Sequence, residues 1–109
     1  PYTTLFRSGD LKLIAPSTLP VELANGLRYV PLDGSAVKRA LTALELAHIR
    51  TFDCTGGLLA SAVELAVDHD ITVYDALFLA LALERTCILA TADRRAFSNM
   101  RLPVDVRLL

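Results

Sequence analysis

The chain has 109 residues, 53% of them apolar, and its 11 basic and 12 acidic side chains leave a net charge of −1. A chain of this length supports one domain with one core. Its apolar content excludes intrinsic disorder, and its charge balance excludes a strong global field for nucleic acid. Mean hydropathy is +0.45, which is rich for a globular protein and implies either a dense core or a surface that faces a partner or a missing segment. Cys54 and Cys87 are far apart with no CxxC spacing; they read as reduced, buried thiols of a cytoplasmic protein, not a disulfide frame. No apolar run reaches the ~18 residues of a membrane span, and no signal peptide is evident.

Residues 1–8 (PYTTLFRS) show neither a helical nor a strand period. The string resembles the translation of a common sequencing-library adapter, so it is read as a non-native leader and residues 9–109 as the domain. Residues 11–15 (LKLIA), ended by Pro16, read as a strand. Ser17 or Thr18 then caps a helix with Pro20 in its first turn; Leu19, Leu23, Leu27 and Val30 recur at helical spacing until Pro31 stops it. Asp33-Gly34-Ser35 opens a second helix with Val37, Ala40, Leu41, Leu44 and Ala47 on one face. Residues 50–53 form a connector or edge strand. Residues 55–68 hold a third helix, with Leu58, Leu59, Ala62, Val63, Leu65 and Ala66 apolar. Residues 71–72 lead into a fourth, 73–85. Residues 87–90 are a strand, 94–99 a helical turn, and 104–108 a last strand. Short apolar strands between helices predict an α/β fold, a parallel sheet flanked by helices. In such sheets, sites form outside the carboxyl ends of the strands.

Two carboxylates stand where the apolar scaffold ends. Asp75 heads the apolar run 76–83, and Asp93 follows the strand at 87–90. A carboxylate there is costly unless a cation, a donor or water receives it. Asp75 reads as a metal ligand at a helix N-terminus or as part of a capping box, since Thr72-Val73-Tyr74-Asp75 has the S/T-x-x-D/E form; a helix N-terminus suits a carboxylate in both roles. Asp93 is a ligand or the N-cap of the turn that follows it. Thr91 is a donor to such a site or a cap of the same turn. Arg94 and Arg95 are solvated surface or, beside a site, contacts for phosphate. Glu22, among Leu19, Val21, Leu23 and Ala24 on the first helix, is an exposed helix glutamate or a third acid; Asn25 and Gly26 on its side leave room for a chain to approach.

Three carboxylates brought within ~4 Å of one another repel unless a divalent cation intervenes. Mg²⁺ or Mn²⁺ accepts oxygen ligands, acidifies water and neutralises a phosphodiester in transit. The acids therefore point to a metal-dependent hydrolase of phosphate esters. His48 and His69 are too isolated for a zinc motif and read as surface residues. No GxSxG, P-loop or GxGxxG is present, and Gly56-Gly57 begins a helix.

This pattern resembles the PIN domain, especially its VapC-like toxin branch. LIAPSTLPVELANGLR is similar to that family's strand and helix with an internal acid, ITVYDALFLALA to its most recognisable motif, and ILATADRRAF to its closing acid segment. The resemblance implies that Glu22, Asp75 and Asp93 bind Mg²⁺ or Mn²⁺ and cut RNA, that the protein pairs with an antitoxin, and that it forms a homodimer. The family opens with a strand ending in an aspartate. Nothing before Leu11 supplies one, and Asp10 precedes a strand, so the first, central strand of the sheet is expected to be missing. The alternatives are an inactive PIN-like binding module and a nuclease acting on other nucleic acids.

Overall fold

The structure, a computed structural model, describes residues 12–31, 33–91 and 104–108. It is a mixed α/β protein whose described residues fall into two compact units, divided in sequence between Phe52 and Asp53. The proposed leader, the turn expected at 94–99 and the start of the first expected strand lie outside the described residues.

The first unit runs strand β1 (Ile14–Pro16), helix α1 (Leu19–Leu27), helix α2 (Gly34–Leu46) and strand β2 (Arg50–Phe52). β1 and β2 pair in parallel, with Ile14 opposite Arg50 and Pro16 opposite Phe52. Pro16 was expected to end the strand and instead belongs to it. Bonds to β2 are made by Leu13, whose carbonyl accepts from Arg50 N, and by Ser17, whose amide donates to Phe52 O. Alternate residues of a strand bond to one neighbour, so the missing N–H of Pro16 falls on the other side and interrupts nothing.

α1 stops at Leu27, short of the Val30 and Pro31 expected to bound it. The amides of Tyr29 and Val30 reach back three residues, to Gly26 and Leu27, the tightened turn that closes many helix ends. Val30 is left exposed. α2 begins where expected, because Asp33 Oδ1 accepts from Ala36 N at 2.7 Å, the bond an N-cap supplies. It ends at Leu46, so Ala47, expected on its apolar face, lies past the helix and is exposed.

The second unit holds helix α3 (Gly56–His69), helix α4 (Val73–Arg85), strand β3 (Leu89–Thr91) and strand β4 (Val106–Leu108). Thr55 and Thr72 cap the helices through their hydroxyls, which accept from Leu58 N at 3.2 Å and Asp75 N at 3.1 Å. Both helices end in the same way. Asp70 and Thr86 turn left-handed at φ 53° and 54°, and the next amides, Ile71 and Cys87, reach back five residues to Ala66 and Ala82. This is the Schellman closure, and at α3 its usual apolar contact is Ile71, which packs against the core.

α4 buries Ala76, Leu77, Leu79, Ala80, Leu81 and Ala82, the pattern of a helix apolar all round and enclosed. α3 meets it with a narrower line, Leu58, Ala62 and Ala66, spaced four apart on one face. The neighbouring apolar line of α3 is not covered: Leu59 is 40% and Val63 49% exposed, with Val67 continuing the stripe at 76%. Leu79, Ala82 and Leu89 form a core cluster, with Leu65, Phe78 and Val104 against it.

β3 and β4 are parallel, Leu89 opposite Val106. Each is shorter at its start than expected. Cys87 cannot join the ladder through its amide because that amide closes α4. Cys54 and Cys87 form no disulfide and are half-buried rather than buried. His48 is exposed as expected, whereas His69, in the last turn of α3, is half-buried. Among the described residues no helix is long and apolar enough to cross a membrane.

Candidate metal centre

Glu22 stands in the first turn of α1 and is half-buried. Its amide donates to Thr18 O at 3.0 Å, and its Oε2 accepts from the Thr18 hydroxyl at 2.8 Å. The residues expected to leave space beside it do so: Asn25 and Gly26 are exposed, and a Cβ added at Gly26 meets nothing within 4 Å.

Thr18 is the residue whose role sequence reasoning missed. It was one of two residues, with Ser17, expected to cap α1, yet its side chain makes no capping bond. An N-cap oxygen normally accepts from the second or third amide of the helix. Here the second helical residue is Pro20, which has no N–H, and the backbone of Thr18 is already helical (φ −75°, ψ −13°). The hydroxyl turns to Glu22 instead. The legible signal was a Thr and a Glu four apart, the spacing at which helical side chains meet.

Asp75 occupies the third position of α4 and is half-buried. Ala76 and Leu77 follow it into the core, so the carboxylate marks the border between an apolar wall and the helix start. The positive end of the helix favours negative charge there. The cap from Thr72 bears out the capping-box reading on its Thr side, and it leaves the ligand reading open, since the bond engages the amide of Asp75.

Glu22 belongs to the first unit and Asp75 to the second. Thr91 ends β3, two positions before Asp93 in the sequence. Asp93, Arg94 and Arg95 lie outside the described residues. Among the described residues, no group of three His, Cys, Asp or Glu side chains is gathered as a metal site.

The chemistry of the donors still selects the class of ion. Glu22 and Asp75 are carboxylates, hard oxygen donors of the type taken by Mg²⁺ and Mn²⁺, with no thiolate or imidazole among them. Both are half-buried, so their charge is less screened than on an open surface.

The PIN domain family model matches residues 6–102. The chain belongs to the PIN domain family. PIN domains are a nuclease-type superfamily whose members typically use divalent metals. No curated protein and no solved structure match the chain. The PIN match spans Glu22, Asp75, Thr91, Asp93, Arg94 and Arg95.

Proposed function

We propose that this PIN domain is a metal-dependent endoribonuclease of the VapC-like toxin type, with Glu22, Asp75 and Asp93 as its ligands for Mg²⁺ or Mn²⁺. The observation that carries the reading is Asp75. It is a half-buried carboxylate held by a capped helix terminus at the edge of an apolar wall, in a family of nucleases. When bound, the ion supplies charge neutralisation for the phosphodiester and acidifies the attacking water.

The chain's own residues supply the rest. Asp75 is presented by a helix start that the Thr72 cap keeps from fraying. Glu22 is held on the first turn of α1 by Thr18. Arg94 and Arg95 are the cations proposed to meet substrate phosphates, and Thr91 the neighbouring donor.

The same reading gives the protein an RNA substrate, an antitoxin and a second copy of itself as partners, in the cytoplasm. An apolar cleft of about 640 Å³ beside α1 and α2, lined by Leu19, Leu41, Leu44 and Ile49, suits the apolar face of an antitoxin helix. The exposed stripe of Leu59, Val63 and Val67 on α3 is the kind of surface that protein partners cover.

The test is cleavage of single-stranded RNA with and without Mg²⁺, by the protein and by its Asp75→Asn and Glu22→Gln variants. Metal-dependent cleavage lost in both variants is the expected result. Cleavage by Asp75→Asn at the parent rate in saturating Mg²⁺ would reject the assignment. Failure of the unaltered protein to cleave or to bind metal would favour a PIN-like binding module.

A further inference from the structure

The hydrogen bond between Thr18 and Glu22 has a consequence for metal binding, if Glu22 is a ligand as proposed above. A carboxylate on a flexible side chain must lose rotamer freedom before it can ligate. A donor already fixed against one of its oxygens removes part of that cost. The bond has the usual O–H···O length, 2.8 Å, and is part-buried, and an O–H donating to a charged acceptor belongs to the stronger class of hydrogen bond. Its donor is unusual for the position. At the start of a helix a threonine is normally spent on the backbone, whereas Thr18 makes no capping bond. Pro20 denies it one of the two usual amides, and its helical φ and ψ turn it from the other.

We propose that Thr18 is a positioning residue for Glu22: its hydroxyl holds one carboxylate oxygen in place and thereby sets the orientation in which the acid meets a divalent cation. Partners of this kind around metal ligands typically change affinity by about 10–100-fold when removed. The competing account is that Thr18 steadies only the first turn of α1. The two differ in what they move. A structural role shifts unfolding and leaves metal affinity alone; a positioning role shifts affinity and leaves the metal-free fold nearly unchanged.

The experiment is titration of the full chain with Mn²⁺, with free Mn²⁺ followed by electron paramagnetic resonance. The proteins are the parent, Thr18→Val, Thr18→Ser and Glu22→Gln, and metal-free thermal unfolding is recorded for each. The expected result is Mn²⁺ binding about 10-fold weaker in Thr18→Val and close to the parent in Thr18→Ser, which keeps the hydroxyl. The unfolding midpoints without metal should be similar. Parent-like Mn²⁺ affinity in Thr18→Val together with lost binding in Glu22→Gln would overturn the role of Thr18 and leave Glu22 as a ligand. Parent-like affinity in Glu22→Gln would remove the ligand assignment, and the role of Thr18 with it. Should Thr18→Val not fold, Thr18→Ala removes the same hydroxyl without added bulk and is judged by the same two comparisons.

Discussion

The amide of Asp75 donates to the hydroxyl of Thr72 at 3.1 Å, so the backbone of the acid serves the helix while its side chain stands at the positive helix end. Asp75→Asn keeps the size, the amide and the cap. It loses the favourable interaction of a negative charge with the helix terminus, about 0.3–1 kcal/mol at such positions. The unfolding midpoint should therefore fall by a few degrees at most, while metal-dependent RNA cleavage disappears. A calorimetric scan beside a cleavage assay separates the two effects.

Thr72→Ala tests the other half of that relationship. Removing a threonine N-cap costs about 1 kcal/mol, which for a domain of this size lowers the midpoint by about 4–8 °C. Thr55→Ala, which deletes the cap of α3, should cost a similar amount. Serine at either position restores most of the loss. A scan showing no change in Thr72→Ala would mean that Asp75 N is satisfied without the hydroxyl.

Leu79 is fully buried, at 0% exposure, and anchors the cluster with Ala82 and Leu89. Leu79→Ala combines lost transfer energy with a cavity, about 2–5 kcal/mol in well-packed cores. Urea unfolding should show an earlier midpoint with little change in slope. The exposed Val67→Ala on the outer stripe of α3 should change stability by less than about 0.5 kcal/mol.

These contrasts also mark what the sequence could and could not say. The bounds of α4 were legible because Thr72 announces its start, and Thr86 turns left-handed one residue past the end expected from the apolar run. The starts of α2 at Asp33 and of α3 at Thr55 were legible too, and the structure shows both residues to be N-caps. Burial on α3 was not. Leu58 and Leu59, or Ala62 and Val63, are equally apolar, and only the line that α4 occupies decides which of them is covered. Pro16 was misread because proline is a strand breaker only on the side where a bond is needed, and that side is set by β2, more than thirty residues away. At the candidate site the acids were legible as residue types. The hold of Thr18 on Glu22 was not, since it depends on a backbone angle at Thr18 that denies it the cap.

Thr86 carries a prediction of the opposite sign. It is a β-branched residue at φ 54°, a conformation costing most side chains about 1–2 kcal/mol and favoured by glycine after a helix. Thr86→Gly relieves that cost and gives part of it back through the greater freedom of the unfolded chain. The net gain should be about 0.5–1 kcal/mol, seen as a midpoint raised by a few degrees. Asp70→Gly, at the matching position after α3, should gain less, because aspartate tolerates the left-handed region better than a β-branched residue. Equal gains at the two sites would show that β-branching adds nothing here.

Metal linkage is the last consequence. An ion that binds the folded chain and not the unfolded one stabilises it by mass action, about 2.7 kcal/mol at a free concentration of one hundred times its dissociation constant. Saturating Mn²⁺ should therefore raise the unfolding midpoint of the parent protein, and a chelator should reverse the gain. If Glu22 and Asp75 hold the same ion, each of Glu22→Gln and Asp75→Asn removes most of the gain alone, and the double variant removes little more, because ligands of one site are coupled rather than additive. If they hold different ions, each single variant loses only part of the gain and the losses add. Four midpoints with Mn²⁺ and four without decide between a shared ion and separate sites. A parent midpoint unmoved by Mn²⁺ would argue against an ion at either acid.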